Sequence, residues 1–432
     1  MNSKNDFKDI LIVGFALFAV FFGAGNIIFP PSIGLVSGEN WGPALIGLTL
    51  TGVLLPVLGI IAVSKAGGSF AELSKPVSPW FYIVFNLAVM LLVGVFANIP
   101  RTSAVAYELG VKPLFPNIPS FPVIFLYFLA AYYFTIDKSS VIDKVGKFLT
   151  PVMLIVLLLI VVKGIISPLG TPVDTGIKNA FSNAFISAYQ TGDVLTGLLC
   201  GGIFIESVIA KGYKKKEETN RIIRGASIIA FIGLFIVYGG LLFIGAGASG
   251  VLPQTMDKSV LLSTVVKKLL GNFGTVMLSV SVILATLTTC VGLTTSFADF
   301  MSELTNGKIS YKACVTMTYI IGIIIGSFGV EKIIGFAAPI FIAIYLLVFF
   351  GLFNKYVPNK GSYKGAVIFT LFISMADALK MCGLNMPGLN AMIAKLPLAS
   401  QGFAWIVPAL VGFVIGTIIY GSSNKEKSET AA

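Results

Sequence analysis

The sequence contains no histidine, only four cysteines and few charged residues. Histidine is the commonest proton shuttle and metal ligand, and it is the usual partner of a nucleophilic serine or cysteine. Its absence therefore argues against most hydrolytic and metal-dependent enzymes. The four cysteines stand singly in apolar stretches, without Cys-x-x-Cys spacing. We interpret them as packing residues.

Charge is scarce along the whole chain. Asp, Glu, Lys and Arg make up 11% of the 432 residues, whereas 56% are hydrophobic, and the mean hydropathy is +0.93. One soluble core cannot enclose so much apolar sequence, so the composition predicts a membrane protein with many spans. In a soluble protein the net charge of +11 would suggest nucleic-acid binding. In a membrane protein the side on which Lys and Arg lie matters more than their sum, and we expect no nucleic-acid partner.

Apolar segments of membrane-spanning length recur along the sequence and predict an all-α polytopic protein with about 12 transmembrane helices. They lie near residues 10–35, 43–64, 79–106, 120–136, 148–167, 180–210, 222–247, 273–300, 313–329, 332–354, 364–380 and 402–421. The first segment is too long for the core of a signal peptide and lacks a small-residue cleavage site, so we expect a retained helix. The segment at about 250–272 predicts a short helix on the outer surface.

Basic residues are concentrated in alternate connections between these segments. The connection from Lys211 to Arg224, which contains three consecutive lysines, holds a large share of them. Because basic loops stay on the cytoplasmic side, this bias predicts that both termini are cytoplasmic. Binding of anionic lipid headgroups by the same loops is the alternative interpretation.

A helix-breaking sequence interrupts the first span at its middle. Gly23-Ala24-Gly25-Asn26 stands between apolar stretches and is followed by Pro30 and Pro31. Each glycine weakens a helix by roughly 1 kcal/mol relative to alanine, and backbone groups freed at that depth need polar partners. In secondary transporters such breaks bind substrate carboxylates and cations. The alternative is that the small residues only allow two helices to approach closely.

A second interruption lies in the sixth span, at Ala188-Tyr189-Gln190-Thr191-Gly192-Asp193. If spans 1–5 and 6–10 are two copies of one unit, the two breaks occupy equivalent positions. An odd number of spans per copy then gives the copies opposite orientations, which is the 5+5 inverted repeat of many transporters. The predicted boundaries are 1–170 for the first half, 171–356 for the second half, and 357–432 for helices 11 and 12 with a cytoplasmic tail.

Asp193 is the deepest carboxylate in any predicted span. An unpaired carboxylate there would be costly or protonated, so we expect a cationic partner: a substrate ammonium, a sodium ion, or Arg101, the only arginine placed well inside a predicted span. A purely structural pair with Arg101 is one alternative, and Arg101 could instead belong to an external gate or extend to the interface. Acidic residues near helix ends are interpreted as interfacial or pairing residues, with proton coupling as the alternative: Glu206, Asp299, Glu303 and Asp377.

Hydroxyl side chains are unusually dense in the eighth span. Ala285-Thr286-Leu287-Thr288-Thr289 is followed closely by Gly292-Leu293-Thr294-Thr295-Ser296. Threonine can bond back to its own helix, which is one interpretation. The other is that hydroxyls and carbonyls complete an oxygen shell for a monovalent cation. Neutral oxygen ligands suit sodium better than a proton relay, which needs a titratable group.

Taken together, these motifs resemble the bacterial branched-chain amino acid:cation symporters and, more distantly, the leucine-transporter fold of amino acid and neurotransmitter symporters. The resemblance covers nearly the whole chain. It rests on the first break with its Phe29-Pro30 sequence, the Tyr189 to Asp193 segment, Pro100-Arg101-Thr102, and the hydroxyl-rich eighth span. It implies that backbone amides around Ala24 to Asn26 hold a substrate carboxylate.

The same resemblance implies a sodium site between the first and eighth helices. Its residues would be Ala285, Thr288 and Thr289, with backbone carbonyls from Ala19 and Phe22. The arginine that precedes Phe-Pro in the neurotransmitter-type relatives is absent here, so their external gate is not transferred. Those relatives have no counterpart of Asp193, and its role towards an ammonium or an ion is our own inference.

These observations predict sodium-coupled import of leucine, isoleucine and valine by alternating access across the bacterial cell membrane. The protein would not be an enzyme, would use sodium as coupling ion without another cofactor, and would need no obligate protein partner. Phe18, Phe21 and Phe22 are candidates for an apolar pocket. The predicted substrate-binding residues are Gly23, Ala24, Gly25, Asn26, Tyr189, Gln190, Thr191, Gly192 and Asp193.

Two alternatives remain open at this stage. Proton coupling in the same fold would use Asp193 or Glu206 as the titrating group. The other alternative is a multi-span membrane enzyme. Its chemistry would need clustered histidines, paired carboxylates or a phosphate-binding loop, and the sequence contains none of these.

Overall fold

The computed structural model describes residues 5–66, 79–136, 150–353, 360–384 and 386–429, and these parts of the chain are helical without a β-strand. The α-helices are α1 (Asp6–Phe21), α2 (Ala24–Ser37), α3 (Trp41–Leu48), α4 (Leu55–Ala66), α5 (Pro79–Ala88), α6 (Ile99–Val105), α7 (Ser120–Thr135), α8 (Thr150–Ile166), α9 (Ala180–Tyr189), α10 (Asp193–Ala210), α11 (Lys216–Gly247), α12 (Lys258–Leu304), α13 (Tyr311–Gly326), α14 (Val330–Phe353), α15 (Lys360–Met381), α16 (Pro387–Ala394) and α17 (Ile406–Glu429).

Three π-helical segments extend neighbouring α-helices. Thr49–Leu54 joins α3 to α4, Val89–Asn98 joins α5 to α6, and Ala106–Val111 follows α6. Wider π turns shift the angular position of the side chains that follow them and are frequent at functional sites. Two of the three segments flank α6, which carries Arg101.

Several helical stretches are long and apolar enough to cross a membrane. Within the described residues, five do so singly, and α13 with the first part of α14 forms a sixth candidate bent by 115°. The five stretches are Ala24–Lys65, Asn86–Val111, Asp193–Ala210, Lys216–Gly247 and Lys258–Leu304. Shorter apolar helices occur at Ser120–Thr135, Met153–Ile166 and Ile406–Ile419. The all-α, multi-span class is confirmed, whereas the count of twelve spans and the repeat boundaries stay predictions.

Both predicted helix interruptions are present. Helix α1 ends at Phe21 and α2 begins at Ala24, while α9 ends at Tyr189 and α10 begins at Asp193. Helix α2 resumes before Pro30 and Pro31, which lie inside it. The glycine-rich segment, and not the prolines, therefore marks the first break.

The short helix expected at about 250–272 forms the first part of α12. This helix begins at Lys258 and kinks at Gly271, whose φ of +62° is outside the helical range. Leu261, Leu262 and Val265 are fully buried before the kink. Their spacing places them on one face, so this segment packs an apolar side against the rest of the protein.

The two broken spans lie at the centre of the helix bundle. Helices α1 and α2 both pack against α11 and α12, α10 packs against α4, and α12 also contacts α6. Helices α15 and α17 form a close pair that joins the bundle through α14, and Gly365 and Gly412 leave no room for a β-carbon between them. The residues at the two breaks are therefore enclosed by helices on all sides, away from lipid.

A polar cluster connects the start of α1 to the segment between α10 and α11. The hydroxyl of the buried Tyr213 lies 3.0 Å from carboxylate oxygens of both Asp6 and Asp9. Lys211 is 3.6 Å from Asp9, and Arg221 pairs with Asp6. Burial and the two carboxylates raise the pKa of Tyr213, so the hydroxyl remains a hydrogen-bond donor that holds the start of α1 in place.

Candidate substrate-binding site

A hydrogen bond joins the two breaks in the interior of the protein. Asn26, in the first turn of α2, and Asp193, the first residue of α10, are 1% and 4% exposed. The side-chain amide of Asn26 donates to Asp193 Oδ1 at 2.8 Å, and it also donates to the carbonyl of Phe21 at the end of α1. Asp193 Oδ2 accepts from the hydroxyl of Tyr238 in α11 at 3.1 Å. This carboxylate thus connects α2, α10 and α11.

Gly192 shapes the backbone immediately before Asp193. Its φ is +82°, a conformation that side chains with a β-carbon rarely adopt. A β-carbon at this position would also stand 2.7 Å from Asn98 Nδ2. The turn starts α10 at Asp193, where the positive end of the helix dipole favours a carboxylate. The Thr196 hydroxyl donates to the Gly192 carbonyl at 3.0 Å and closes this first turn.

Arg101 holds the other side of the second break. It is 3% exposed, and its guanidinium donates to the carbonyls of Gln190 and Thr191, at 2.6 Å each, and to Asn98 Oδ1 at 2.8 Å. The two carbonyls belong to the C-terminal end of α9, where the helix dipole favours a cation. The guanidinium carbon also lies 6.0 Å from the ring centre of Phe29.

Arg101 and Asp193 are neighbours without a direct ion pair. In the part of the chain that the structure describes, no Lys or Arg nitrogen lies within 4.0 Å of the Asp193 carboxylate. The purely structural pair of Asp193 with Arg101, one alternative interpretation of the sequence, is therefore not formed. Asp193 is surrounded by neutral donors, and Arg101 is surrounded by neutral acceptors.

A narrow cavity lies between the two breaks, α6 and α12. In this conformation it has room for about one water molecule. Its walls are formed by Phe21, Gly23, Ala24, Gly25, Asn26, Asn98, Arg101, Thr102, Thr191, Asp193, Thr196 and Thr289. The four predicted residues of the first break all line it, and so do Thr191 and Asp193 of the second.

Three other predicted substrate-binding residues have different positions. Tyr189 is buried and packs edge-on against Phe185, with ring centres 5.4 Å apart. Gln190 contributes its backbone carbonyl to Arg101, and Gly192 contributes the turn. None of the three is among the residues of the cavity wall.

Of the aromatic and acidic residues considered for the site, some line the cavity and others do not. Phe21 lines the cavity, whereas Phe18 and Phe22 stack on each other, with ring centres 5.5 Å apart. The acidic residues interpreted as interfacial or pairing are exposed or partly exposed and lie outside the cavity wall: Glu206, Asp299, Glu303 and Asp377. Asp193 is the single carboxylate among the lining residues.

Several polar residues of the site were not predicted from the sequence. Asn98 and Thr102 flank Arg101 at the i−3 and i+1 positions and line the cavity, as does Thr196. A polar face at 98, 101 and 102 in an otherwise apolar span was a usable signal. Tyr238 gave no signal, because a single tyrosine in an apolar helix is ordinary.

The end of α1 meets the hydroxyl-rich part of α12. Thr288 Oγ1 lies 3.1 Å from the carbonyl of Ala19 and 2.9 Å from that of Ala285. Thr289 Oγ1 lies 3.1 Å from the carbonyl of Val20. The last carbonyls of a helix have no partner within it, and here they meet hydroxyls of another helix. The arrangement brings together neutral oxygens, which suit a hard monovalent cation.

The predicted ligands of this oxygen cluster differ in their surroundings. The carbonyls of Ala19 and Ala285 both lie within hydrogen-bond distance of the Thr288 hydroxyl, and their role as sodium ligands stays a prediction. Phe22 lies just beyond the end of α1 with ψ of 77°, and the hydroxyl of Thr289 faces Val20 instead. Gly23 permits this close approach, because a β-carbon there would stand 2.6 Å from Thr289 Oγ1.

Comparison with known proteins agrees with these features. The family model described as "Branched-chain amino acid transport protein" matches residues 6–423. The chain is 34% identical over 427 residues to the branched-chain amino acid permease BraB of Bacillus subtilis (strain 168), and the match covers 95% of each protein.

Similar solved structures include MhsT in complex with L-phenylalanine, with a TM-score of 0.54 and 15% identity, covering 93% of this chain and 98% of that one. A Na⁺-coupled sialic acid symporter is similar as well, with a TM-score of 0.54 and 14% identity, covering 95% and 89% of the two chains. At this level of identity the likeness concerns the fold alone, and it confirms the predicted leucine-transporter fold.

Proposed function

Because this chain belongs to the branched-chain amino acid transport protein family, we propose that it imports leucine, isoleucine and valine by sodium-coupled alternating access. It is a transporter and not an enzyme, and it is an integral protein of the bacterial cell membrane. The observation that carries the proposal is the buried polar contact between the two helix breaks, the 2.8 Å hydrogen bond from Asn26 to Asp193.

The polar end of an amino acid matches the chemistry of the two breaks. The first turn of α2 is the positive end of a helix dipole, which suits a carboxylate, although the amide of Asn26 already donates to the carbonyl of Gly23 at 3.2 Å. Asp193 offers negative charge for an ammonium. Both groups lie in the wall of one cavity, so one small molecule can reach them together.

The apolar side chain of the substrate is expected to pack against Phe21, the aromatic residue of the cavity wall. An apolar pocket discriminates one methylene by only about 1–3 kcal/mol. We therefore expect leucine, isoleucine and valine to share the site, with modest differences in affinity. The cavity is narrow, and entry of these substrates requires the helix ends around it to move apart.

Sodium coupling is supported by the oxygens at the contact between α1 and α12. The hydroxyls of Thr288 and Thr289 and the carbonyls of Ala19 and Val20 lie close together and carry no titratable proton. A cation bound there would hold the end of α1, which leads directly into the substrate cavity. Substrate and sodium would then favour each other's binding to an equal extent, as linkage requires.

Proton coupling is a second candidate, because one carboxylate, Asp193, lies in the cavity wall without a cationic partner in the described residues. Protonation and deprotonation of this group during the cycle would carry the coupling. A pH-dependent Michaelis constant and uptake that is independent of sodium distinguish this mechanism from the first.

The test is uptake of labelled isoleucine into proteoliposomes that contain the purified protein. An inward sodium gradient is compared with equimolar potassium and with a proton gradient alone. We expect accumulation with sodium and none with potassium. Accumulation with the proton gradient alone would transfer the coupling to Asp193, and no accumulation under any gradient would contradict the proposed substrate.

A further inference from the structure

Two polar atoms of the candidate substrate site are buried without a hydrogen-bond partner among the described residues. They are Nε of Arg101 and Oδ1 of Asn26, and both residues line the cavity. A buried guanidinium donor and a buried amide acceptor are unfavourable when unmatched and are rare in folded proteins. A donor and an acceptor left unmatched at one cavity indicate a ligand that carries an acceptor and a donor of its own.

The remaining nitrogens of Arg101 show why Nε is available. Nη1 and Nη2 are held by the carbonyls of Gln190 and Thr191 and by Asn98. These bonds fix the plane of the guanidinium. Because the terminal nitrogens are engaged, a carboxylate that approaches from the cavity can be met by Nε without breaking the contacts that hold the second break.

The guanidinium also lies against the first turn of α2. A β-carbon on Gly25 would stand 2.9 Å from Arg101 Nη2 and 2.8 Å from the Cα of Thr191. Glycine therefore allows α6 and α2 to bring a full positive charge next to the positive end of a helix dipole. An anion is the ligand that such a combination favours.

The cavity wall thus carries one basic and one acidic side chain. Arg101 and the first turn of α2 form the positive part, and Asp193 with the free Oδ1 of Asn26 forms the negative part. Each charged residue is at most 4% exposed. A ligand with a single charge would leave one of the two charges unmatched, whereas a zwitterion matches both.

We infer that Arg101, on the third predicted span, is a substrate-binding residue whose Nε binds the α-carboxylate, while Asn26 Oδ1 and Asp193 bind the α-ammonium. This inference rests on the proposed transport of amino acids and adds a role for α6 to that of the two breaks. With Asp193 ionised, the site is neutral both when it is empty and when it is occupied by an amino acid. The coupling ion then carries all of the charge that moves with the substrate.

The inference is tested with substrate analogues that each lack one charge. L-isoleucinamide keeps the side chain and the ammonium but has no carboxylate, and 3-methyl-2-oxopentanoate keeps the carboxylate but has no ammonium. Binding of L-isoleucine and of both analogues is measured by calorimetry in detergent with saturating sodium. For the unchanged protein we expect isoleucine to bind at least about 100-fold more tightly than either analogue, because each analogue loses one charge-assisted contact.

The variant Arg101→Gln distinguishes substrate binding from a structural role. Because glutamine has no charge to offer the carboxylate, we expect the preference for isoleucine over isoleucinamide to fall to about 10-fold or less. The preference over the oxo acid should remain. If Arg101 only held the carbonyls of the break, both ligands would weaken equally and the ratio would not change, which would contradict the inference.

Controls separate this effect from a loss of folding. Ser103→Ala removes a buried hydroxyl on the same helix that bonds only the carbonyl of Pro100, and it should leave the ratio unchanged. Arg101→Lys keeps the charge and should give an intermediate ratio.

If neither Arg101 variant folds, the inference is still tested by the unchanged protein. Isoleucinamide that binds this protein as tightly as isoleucine overturns the inference. Failure of isoleucine uptake under every gradient contradicts the proposed function. If the unchanged protein takes up isoleucine but Arg101→Gln keeps the same preference for isoleucine over isoleucinamide, only this inference is contradicted.

Discussion

At the scale of single residues, the site depends on charged groups that neutral partners hold in place. Asn26 and Tyr238 donate to the two oxygens of Asp193, and backbone carbonyls accept from Arg101. A direct ion pair would have neutralised both charges and left little attraction for a zwitterion. With separate neutral partners, both charges remain available to a substrate.

Replacing Asp193 by asparagine removes the negative charge while keeping the size of the side chain. We expect Asp193→Asn to abolish isoleucine uptake, because the ammonium loses its charged partner. Membrane insertion should stay intact, because the amide oxygen can still accept from Asn26 while the amide nitrogen donates to the Tyr238 hydroxyl. Uptake into proteoliposomes and the yield of folded protein measure the two effects. Asp174→Asn, at an exposed turn, is the control, and normal uptake by Asp193→Asn would remove this residue from the site.

Thr289 is the residue on which the proposed sodium site can be tested most directly. Thr289→Ala removes an oxygen that faces the carbonyl of Val20 on another helix, so we expect the sodium concentration for half-maximal uptake to rise roughly 10-fold. The affinity for isoleucine at saturating sodium should change less. The matched control is Thr286→Ala, since the Thr286 hydroxyl donates to a carbonyl of its own helix. An unchanged sodium dependence in Thr289→Ala would exclude this residue as a ligand.

At the scale of elements, the interruptions of α1/α2 and α9/α10 bring helix ends to the middle of the bundle. Helix ends carry unpaired amides and carbonyls as well as dipole charge. The start of α2 and the start of α10 are positive, and the ends of α1 and α9 are negative. The protein thereby obtains polar surfaces for an anion and for cations at a depth where most side chains are apolar.

Gly192 tests how much the second break depends on its local backbone. Gly192→Ala imposes a strained left-handed residue and a contact with Asn98, so we expect a lower thermal unfolding temperature and loss of most uptake. Gly383→Ala is a matched control, because Gly383 has a nearly identical φ of +85° but nothing within 4 Å of a β-carbon. The strain alone costs about 1–2 kcal/mol at either position. Equal behaviour of the two variants would show that the contact with Asn98 is unimportant.

At the scale of the whole molecule, the polar site is enclosed by apolar helices whose outer faces are lipid-compatible. Exposed Phe, Ile, Leu and Val side chains are numerous on these faces, for example Leu126 in α7 and Ile324 in α13. Polar residues are collected inside instead, where they can reach substrate. Such a distribution is required of a transporter, because lipid cannot satisfy polar groups.

The orientation of the molecule in the membrane is a separate prediction. The distribution of basic residues predicts that both termini are cytoplasmic. Single cysteines introduced by Ser3→Cys or Ser428→Cys should resist a membrane-impermeant thiol reagent in intact cells and react after lysis. Asp174→Cys, in a connection expected outside, should react in both. Cys382 is exposed and must be replaced first, whereas the other three cysteines are buried. Labelling of either terminus in intact cells would contradict the topology.

The amino-acid sequence alone predicts the membrane class, the positions of both helix breaks and the candidate residues Asn26, Arg101 and Asp193. These features follow from local properties, namely hydrophobicity over a span and the weak helix propensity of glycine-containing segments, which do not depend on distant residues. The partners of those residues depend on how the helices pack. Asn26 and Asp193 are 167 positions apart in the chain, and Arg101 meets the carbonyls of Gln190 and Thr191 instead of the carboxylate that charge alone suggested. The packing of helices remote in sequence sets such contacts, because a small rotation or shift of one helix changes which polar groups come within hydrogen-bond distance.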